Sequence, residues 1–200
     1  VIERQFRVVE IFGPTIQGEG VDQGVACNFV RFGGCDFSCS WCDTPHAVLP
    51  AEVRKAPRLS THEIIDALDG LDGYANWTIL SGGNPALHGL DDLVEELHAK
   101  RSRVAVETQG TRWKPWLAHV DRLCVSPKPP SSGMATQKVI EQLDTFMTQA
   151  TVAAKPRRDD WLFLKVVVFD IEDLEFAEEV HKHYDGIPFF LSAGNDAGRT

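Results

Sequence analysis

Residues 35–42 read C-D-F-S-C-S-W-C and place Cys35, Cys39 and Cys42 within one eight-residue stretch. This stretch follows a strand-like run that ends at residues 32–34. A cubane cluster used only for electron transfer is held by four thiolates, so three thiolates leave one iron open to a substrate or cosubstrate. The motif therefore predicts a 4Fe-4S cluster that takes part in chemistry.

A structural zinc site is the alternative that the same cysteines allow. His46 lies four residues beyond Cys42, and three thiolates with one imidazole complete a tetrahedral zinc site. Such a site would make the chain a non-catalytic zinc-binding interaction domain. The other cysteines, Cys27 and Cys124, lie in apolar runs and are predicted to be buried core thiols.

Composition and charge limit the partners of the chain. Its 200 residues suffice for one sizeable core, and their formal net charge is -9. Because nucleic acids and anionic membranes attract clustered Lys and Arg, this charge argues against both as partners. Residues 1–10 alternate charged and apolar side chains, unlike a signal peptide or membrane span. An odd number of cysteines without secretory features favours free thiols, so we expect a cytoplasmic location.

Strand-like runs alternate with helical patterns along the chain. The predicted strands cover residues 6–12, 27–32, 77–80, 104–106, 123–125, 162–169 and 189–191. The predicted helices follow the capping-box pattern at residues 60–63 and lie near residues 90–97, 138–147 and 173–183. This alternation predicts an α/β fold with a mainly parallel sheet, whose strand-end loops converge on one face.

Several of these predicted loops carry a family pattern. The Cys-x3-Cys-x2-Cys motif continues into Asp43 and Thr44, follows a Gln-Gly-Glu-Gly turn at residues 17–20, and precedes a Gly-Gly turn after the 77–80 strand. Together these motifs resemble the 7-carboxy-7-deazaguanine synthase family of radical S-adenosylmethionine (radical SAM) enzymes, over most of the chain. The resemblance implies a single domain, 1–200, with a radical SAM core: a partial (β/α)-type barrel with a mainly parallel six-stranded sheet and abbreviated helices.

The resemblance also implies a reaction. In the superfamily the cysteines hold the cluster, S-adenosyl-L-methionine chelates the open iron, and one electron releases a 5′-deoxyadenosyl radical. In this family the radical takes hydrogen from the carboxylate-bearing carbon of 6-carboxy-5,6,7,8-tetrahydropterin. Ring contraction and ammonia loss then give 7-carboxy-7-deazaguanine for queuosine or other 7-deazapurine biosynthesis. The implied partners are this pterin, an electron donor such as flavodoxin or ferredoxin, and a second copy of the chain in a homodimer.

A glycyl-radical activating enzyme is the alternative within the superfamily. It uses the same cysteine spacing but acts on a large protein substrate. The Gln-Gly-Glu-Gly turn and the Asp43-Thr44 pair favour a small-molecule substrate instead.

Arg31 and Thr44 can be argued from their chemistry as well as from the resemblance. Arg31 lies on an apolar strand, and its guanidinium fork matches a substrate carboxylate; a structural ion pair is its alternative. Thr44 offers a hard hydroxyl oxygen that suits Mg²⁺, which the family holds there together with the substrate carboxylate. A turn-stabilising threonine before Pro45 is the alternative for Thr44.

The resemblance assigns the rest of the site. The implied substrate-binding residues are Ile16, Gln17, Gly18, Glu19, Arg31, Ser81 and Glu107. The implied cosubstrate-binding residues are Trp41, Cys42, Asp43, Gly83, Asn84, Ser126, Pro127, Lys128 and Asn195. No catalytic residue is assigned beyond the cluster and the cosubstrate.

Two features depart from the family pattern. Asn84 stands where the superfamily usually has Glu, so its contact with the ammonium group of S-adenosylmethionine rests on a neutral amide oxygen. The family also continues beyond the sixth barrel strand, with a helix and a segment that carries a histidine and a terminal carboxylate near the substrate. The completeness of the C-terminal end of the 1–200 domain is therefore left open.

Overall fold

One sheet organises the chain. The computed structural model describes residues 3–155, 157 and 159–194, and in this part of the chain eight strands form a single sheet. The strands are β1 (Gln5–Ile16), β2 (Ala26–Phe32), β3 (Arg58–Ser60), β4 (Trp77–Gly82), β5 (Arg103–Thr108), β6 (Arg122–Val125), β7 (Leu162–Val168) and β8 (Phe189–Ala193).

The order of the strands confirms the predicted parallel sheet. Across the sheet they run β3-β1-β2-β4-β5-β6-β7-β8. Every neighbouring pair from β2 to β8 is parallel, which gives the six parallel strands, and β1 is antiparallel to both β2 and β3. Among the described residues the sheet ends at β3 and β8 and does not close, as expected for a partial barrel. All six parallel strands therefore end at the same edge, where α/β proteins bind ligands.

Among the strands that the structure describes, β3 is the one that the sequence does not predict. It has three residues, too few for an alternating pattern to be visible, and it lies in what reads as a connector. It forms because residues 5–7 of β1 provide an edge for antiparallel pairing. Ser60 then ends the strand and caps the next helix, so β3 aligns that helix with the sheet.

The helices agree with the predicted pattern except in length and in two single-turn additions. They are α1 (Pro45–Val48), α2 (Pro50–Val53), α3 (Thr61–Asp69), α4 (Asp91–Ala99), α5 (Gln137–Ala154) and α6 (Ile171–His183). The capping box is confirmed, because Glu63 N donates to Ser60 Oγ at 3.2 Å and Ser60 N donates to Glu63 Oε2 at 2.7 Å. Helix α5 runs seven residues beyond the predicted 147, because its later turns still bury Ala150. The single-turn helices α1 and α2 lie in a stretch for which the sequence predicts no helix.

Two apolar clusters lie on opposite faces of the sheet. Ile79 and Leu80 are neighbours in β4 but belong to different clusters, as the alternation of strand side chains requires. The larger cluster packs the sheet against the helices and includes Val30, Leu80, Val106, Leu123, Leu164, Leu93 and Phe146. The smaller cluster contains Cys27, Phe29, Trp77, Ile79 and Ala105. Because α3, α4 and α5 pack on the first face, the second face is available for a cavity.

Two cysteines, Cys27 and Cys124, lie outside the cysteine motif. Cys27 and Cys124 are 0% and 3% exposed, which confirms that they are core thiols. Among the helices that the structure describes, none has the length and apolar character needed to cross a bilayer.

Candidate active site

A cavity of about 450 Å³ lies at the edge where the parallel strands end. Each of the six parallel strands contributes to it, through the strand itself or through the loop that follows. These contributions are Arg31, Ser81, Glu107, Ser126, Lys165 and Ala193, in the order β2, β4, β5, β6, β7 and β8. The expected convergence of the strand-end loops on one face is therefore confirmed.

Cys35, Cys39 and Cys42 all line this cavity. Cys35 Sγ accepts hydrogen bonds from Phe37 N at 3.4 Å and from Gln109 Nε2 at 3.3 Å. Burial raises the pKa of Cys35, and it raises the pKa of Cys39 to about 11. Both thiols therefore carry protons at neutral pH, and a metal must displace these protons when it binds.

The loop that carries the cysteines is fixed by contacts with two other loops. Ser40 N donates to Ser132 O at 3.0 Å, and Trp41 Nε1 donates to Ser131 Oγ at 2.9 Å. Ser131 in turn donates from its Oγ to Asp173 Oδ2 at 2.6 Å, and Asp173 is fully buried. The Trp41 ring also packs on Phe169, with a centroid distance of 4.9 Å. These contacts hold the cysteine loop against the loop after β6 and the start of α6.

Within the described residues, the structure does not support the zinc alternative for the cysteines. Three thiolates on one tetrahedral zinc stand about 3.8 Å apart, and the corners of an iron–sulfur cube hold them further apart. Within the described ranges, no group of three His, Cys, Asp or Glu side chains is placed to hold one metal ion. His46, the fourth ligand of the zinc alternative, does not line the cavity, and its Nε2 lies 3.5 Å from Glu10 Oε1.

Arg31 and Thr44 form one polar group in the cavity wall. Arg31 Nη1 donates to Thr44 Oγ1 at 2.9 Å, and Thr44 Oγ1 donates to Asp43 Oδ1 at 2.9 Å. Arg31 Nε also lies 2.9 Å from Glu10 Oε1, so the ion pair considered as its alternative is present. The guanidinium nevertheless lines the cavity and can meet a ligand carboxylate there. The Thr44 hydroxyl oxygen has two lone pairs, and one of them accepts the hydrogen bond from Arg31. A cation bound to the other lone pair would therefore lie beside the positive charge of Arg31.

A second polar group contains two carboxylates. Gln17 Nε2 donates to Glu107 Oε1 at 3.1 Å, and Ser81 Oγ donates to Glu107 Oε2 at 3.2 Å. Lys165 Nζ donates to Glu19 Oε2 at 2.7 Å and lies 3.4 Å from Glu107 Oε1. All five side chains line the cavity, so the structure brings four predicted substrate residues together with a lysine.

The charges of this second group stabilise one another. Burial alone would raise the pKa of Glu19, but the charge and hydrogen bond of Lys165 lower it, and the net shift is downward. Burial alone would lower the pKa of Lys165, yet the charges of Glu107 and Glu19 raise it above its ordinary value. At neutral pH the lysine is therefore charged and Glu19 is ionised.

Lys165 is a functional candidate that the sequence does not predict. It lies in the middle of β7, L-F-L-K-V-V-V, and is only 6% exposed. Arg31 was predicted to bind a ligand because it is a lone cation in the apolar strand β2, and the same pattern is present at Lys165 in β7. Gln109 was missed for a different reason, because only the folded chain brings its amide to Cys35.

Asn84 is placed differently from its predicted role. It does not line the cavity and is 0% exposed. Its Oδ1 accepts from Thr108 Oγ1 at 2.8 Å and from Ala86 N at 3.1 Å, while its Nδ2 donates to Asp36 Oδ1 at 2.9 Å. The amide therefore joins the loops after β2, β4 and β5 and is not directed at a cosubstrate. Asn is shorter than the usual Glu and is neutral, and its amide can donate and accept hydrogen bonds at the same time. These properties explain why the side chain is buried between the loops.

The other predicted residues divide into those that reach the cavity and those that do not. Trp41, Asp43, Gly83, Ser126 and Lys128 line it, and Lys128 Nζ donates to Ser126 Oγ at 2.9 Å. Three do not line it: Ile16, Gly18 and Pro127. Ile16 is 61% exposed, and Gly18 N donates to Gln17 Oε1 at 2.8 Å. Asn195 lies outside the described residues.

Comparison with known proteins gives consistent matches. A family model described as the radical SAM superfamily matches residues 29–127. The chain is 46% identical over 195 residues to the 7-carboxy-7-deazaguanine synthase of Bacillus subtilis (strain 168). The aligned region covers 96% of this chain and 78% of that protein. The chain is 41% identical over 196 residues to the 7-carboxy-7-deazaguanine synthase of Bacillus cereus, with the same two coverages. In fold, it matches the crystal structure of QueE from Escherichia coli with a TM-score of 0.67 at 24% identity, over 98% of this chain and 87% of that one.

Proposed function

This chain belongs to the 7-carboxy-7-deazaguanine synthase family of radical SAM enzymes, and we propose how its cavity binds 6-carboxy-5,6,7,8-tetrahydropterin for conversion to 7-carboxy-7-deazaguanine. It is a radical SAM lyase of queuosine biosynthesis that uses a 4Fe-4S cluster and S-adenosyl-L-methionine. When bound, these two groups supply a 5′-deoxyadenosyl radical that removes hydrogen from the substrate. Cys35, Cys39 and Cys42 would hold the cluster, and the side chains around them bind and orient the two small molecules.

Cosubstrate binding falls to residues around the cysteine loop. Trp41 and Asp43 offer backbone groups beside Cys42, and Gly83 offers a backbone carbonyl to the ammonium group of S-adenosylmethionine. Lys128 is half-buried beside Ser126, with its Nζ 5.9 Å from the Trp41 ring centroid, and it adds a cation for the negatively charged part of the cosubstrate. Asn84 supports Gly83 through the backbone, since Asn84 N donates to Gly34 O at 2.8 Å.

The presence of two different polar groups in one cavity carries the proposal for the substrate. The Arg31–Thr44 group is suited to a carboxylate, because the guanidinium and a threonine-bound cation both attract it. The group of Glu19 and Glu107 is suited to the N–H donors of an aminopyrimidinone ring. A carboxypterin carries both features in one molecule. The cavity of about 450 Å³ also suits a small substrate better than the protein substrate of a glycyl-radical activating enzyme.

Magnesium completes the proposed carboxylate site through Thr44. Changing Thr44 to alanine removes the hydroxyl oxygen that now bonds both Arg31 and Asp43. We expect turnover to fall about 10- to 100-fold, with a weaker response to added Mg²⁺ and an unchanged cluster spectrum. Thr44→Ser is the matched control because it keeps the hydroxyl. A Thr44→Ala enzyme with the wild-type magnesium dependence would contradict the ligand role.

The remaining partners in the proposal are supported by the family resemblance and the charge of the chain. A one-electron donor such as flavodoxin or ferredoxin reduces the cluster, two copies form a homodimer, and the enzyme works in the cytoplasm. The net charge of -9 gives no support for a nucleic-acid substrate.

Anaerobic turnover tests the reaction. The chain is reconstituted with iron and sulfide and incubated with the carboxytetrahydropterin, S-adenosylmethionine, Mg²⁺ and a reductant. Mass measurement is expected to detect 7-carboxy-7-deazaguanine with release of ammonia. A fully loaded cluster that cleaves S-adenosylmethionine but forms no deazaguanine would refute the substrate and leave the radical SAM assignment standing.

A further inference from the structure

Lys165 is a buried cation shared by two carboxylates of the cavity. Its side chain is 8% exposed, while those of Glu19 and Glu107 are 44% and 25% exposed. The lysine nitrogen is 2.7 Å from Glu19 Oε2 and 3.4 Å from Glu107 Oε1. A lysine is seldom buried without such partners, because transfer of its charge from water is costly. The arrangement therefore fixes two acidic side chains through a cation that is itself almost inaccessible to solvent.

Gln17 is less free to bind a ligand than its neighbours. Its Oε1 accepts from Gly18 N at 2.8 Å and from Glu19 N at 3.3 Å, and its Nε2 donates to Glu107. The amide therefore shapes the 17–20 turn and orients Glu107. The charged acceptors that this polar group offers to an aminopyrimidinone edge are the carboxylate oxygens of Glu19 and Glu107.

Two neighbouring carboxylates offer all four of their oxygens as acceptors only if both groups are ionised. Without a cation between them, like charges favour retention of one proton, and protonation replaces one acceptor oxygen with an O–H donor. Other ionisable groups near Lys165 are Cys124 and Lys128, and Asp22 acts on Glu107. Lys128 hydrogen-bonds to Ser126, and Asp22 is paired with Arg122. Lys165 is thus the cation that directly contacts both carboxylates in the described part of the chain.

On this geometry we propose that Lys165 is a positioning residue for the substrate: it keeps Glu19 and Glu107 together as two ionised acceptors for the N–H groups of the pterin edge. The inference rests on the proposed carboxypterin substrate. It assigns Lys165 no proton transfer and no contact with the reacting carbon.

Binding of 6-carboxypterin, a fluorescent analogue already oxidised and unable to turn over, tests the inference without any catalytic step. The reconstituted enzyme is titrated with it in the presence of S-adenosylmethionine. Lys165→Met is expected to raise its Kd about 10- to 100-fold, because charged hydrogen-bond partners are lost. Lys165→Arg is expected to recover most of the affinity, since it restores the charge. Lys182→Met removes an exposed lysine that pairs only with Glu178 in the described structure, and it is expected to bind like the wild type.

Proton exchange distinguishes charge from packing. Calorimetry in buffers of different ionisation enthalpy is expected to show no net proton exchange when wild type binds the analogue and proton release when Lys165→Met binds it. In a Glu19→Gln background the loss caused by Lys165→Met is expected to shrink, because Glu107 no longer has a charged neighbour. Apo-protein melting curves show whether each variant is folded.

Each outcome decides a different point. Equal losses in Lys165→Met and Lys165→Arg, or an unchanged Kd with no proton release in Lys165→Met, would overturn the role of Lys165. Failure of the wild type itself to bind 6-carboxypterin would overturn the carboxypterin site and this inference with it.

Discussion

Replacing Cys39 with alanine is expected to remove the cluster and to lower deazaguanine formation to less than about one-thousandth of the wild-type rate. Cys39 lines the cavity with Cys35 and Cys42, and two thiolates cannot hold a cubane at three corners. The reconstituted variant should be pale, with far fewer than the roughly four irons per chain of a loaded cluster. Iron content, visible absorption and 5′-deoxyadenosine formation measure the loss.

Cys27→Ala is the matched control for this prediction. Cys27 is fully buried in the smaller apolar cluster and is not part of the cavity wall. Its replacement is expected to cost about 1 kcal/mol of unfolding free energy and to leave iron content and turnover near wild type. Full iron loading in Cys39→Ala, or loss of the cluster in Cys27→Ala, would contradict the assignment of ligands.

Replacing Gly83 with alanine is expected to lower the unfolding free energy by roughly 2–4 kcal/mol and to reduce cluster loading. A methyl group at this position would overlap the carbonyl oxygen of Gly34 and would come within 2.9 Å of Ala47 O. Both are backbone atoms, so no side chain can move aside. Gly34 directly precedes Cys35, and the clash therefore displaces the start of the cysteine loop.

Gly70→Ala is the control for the same chemical change. Gly70 ends α3 in the right-handed helical region, and an added methyl would meet its nearest neighbour at 3.4 Å. We expect unchanged or slightly higher stability, since alanine restricts the unfolded chain. Urea unfolding of the apo proteins measures the unfolding free energy of both variants, and iron content after reconstitution measures their cluster loading. A Gly83→Ala protein as stable and as iron-rich as wild type would show that the 34–35 backbone is free to move.

Local pattern was sufficient to predict the sheet and the cysteine loop. The parallel strands are apolar runs separated by helices, and that order determines both the parallel pairing and the sheet edge where the cavity lies. Strand β3 was beyond prediction because its three residues gain their structure from β1, far away in sequence. Long-range pairing of this kind leaves little trace in a short segment.

The candidate site was predictable where a motif coincides with a strand end, and less so elsewhere. Cys35 and Thr44 follow β2, Glu107 is the second-last residue of β5, and all three line the cavity. Asn84 also lies in a strand-end loop, but its amide turns inward to Asp36 and Thr108. This orientation could be predicted only from the relative positions of all three segments in the folded chain. Lys165 lies in the middle of β7, so a rule that looks for site residues at strand ends does not find it. Its charge within an apolar run is nevertheless visible in the sequence.

A cysteine loop held by protein contacts can outlast its iron. Ser40 and Trp41 bond to Ser132 and Ser131, and buried Asp173 bonds to Ser131 in turn, so this support does not pass through a metal. We expect oxygen that destroys the cluster to leave a folded chain whose thiols still face the cavity. Reduction of those thiols and a fresh supply of iron and sulfide would then restore the enzyme. Oxidative damage would consume the inorganic part, and the polypeptide would be reused.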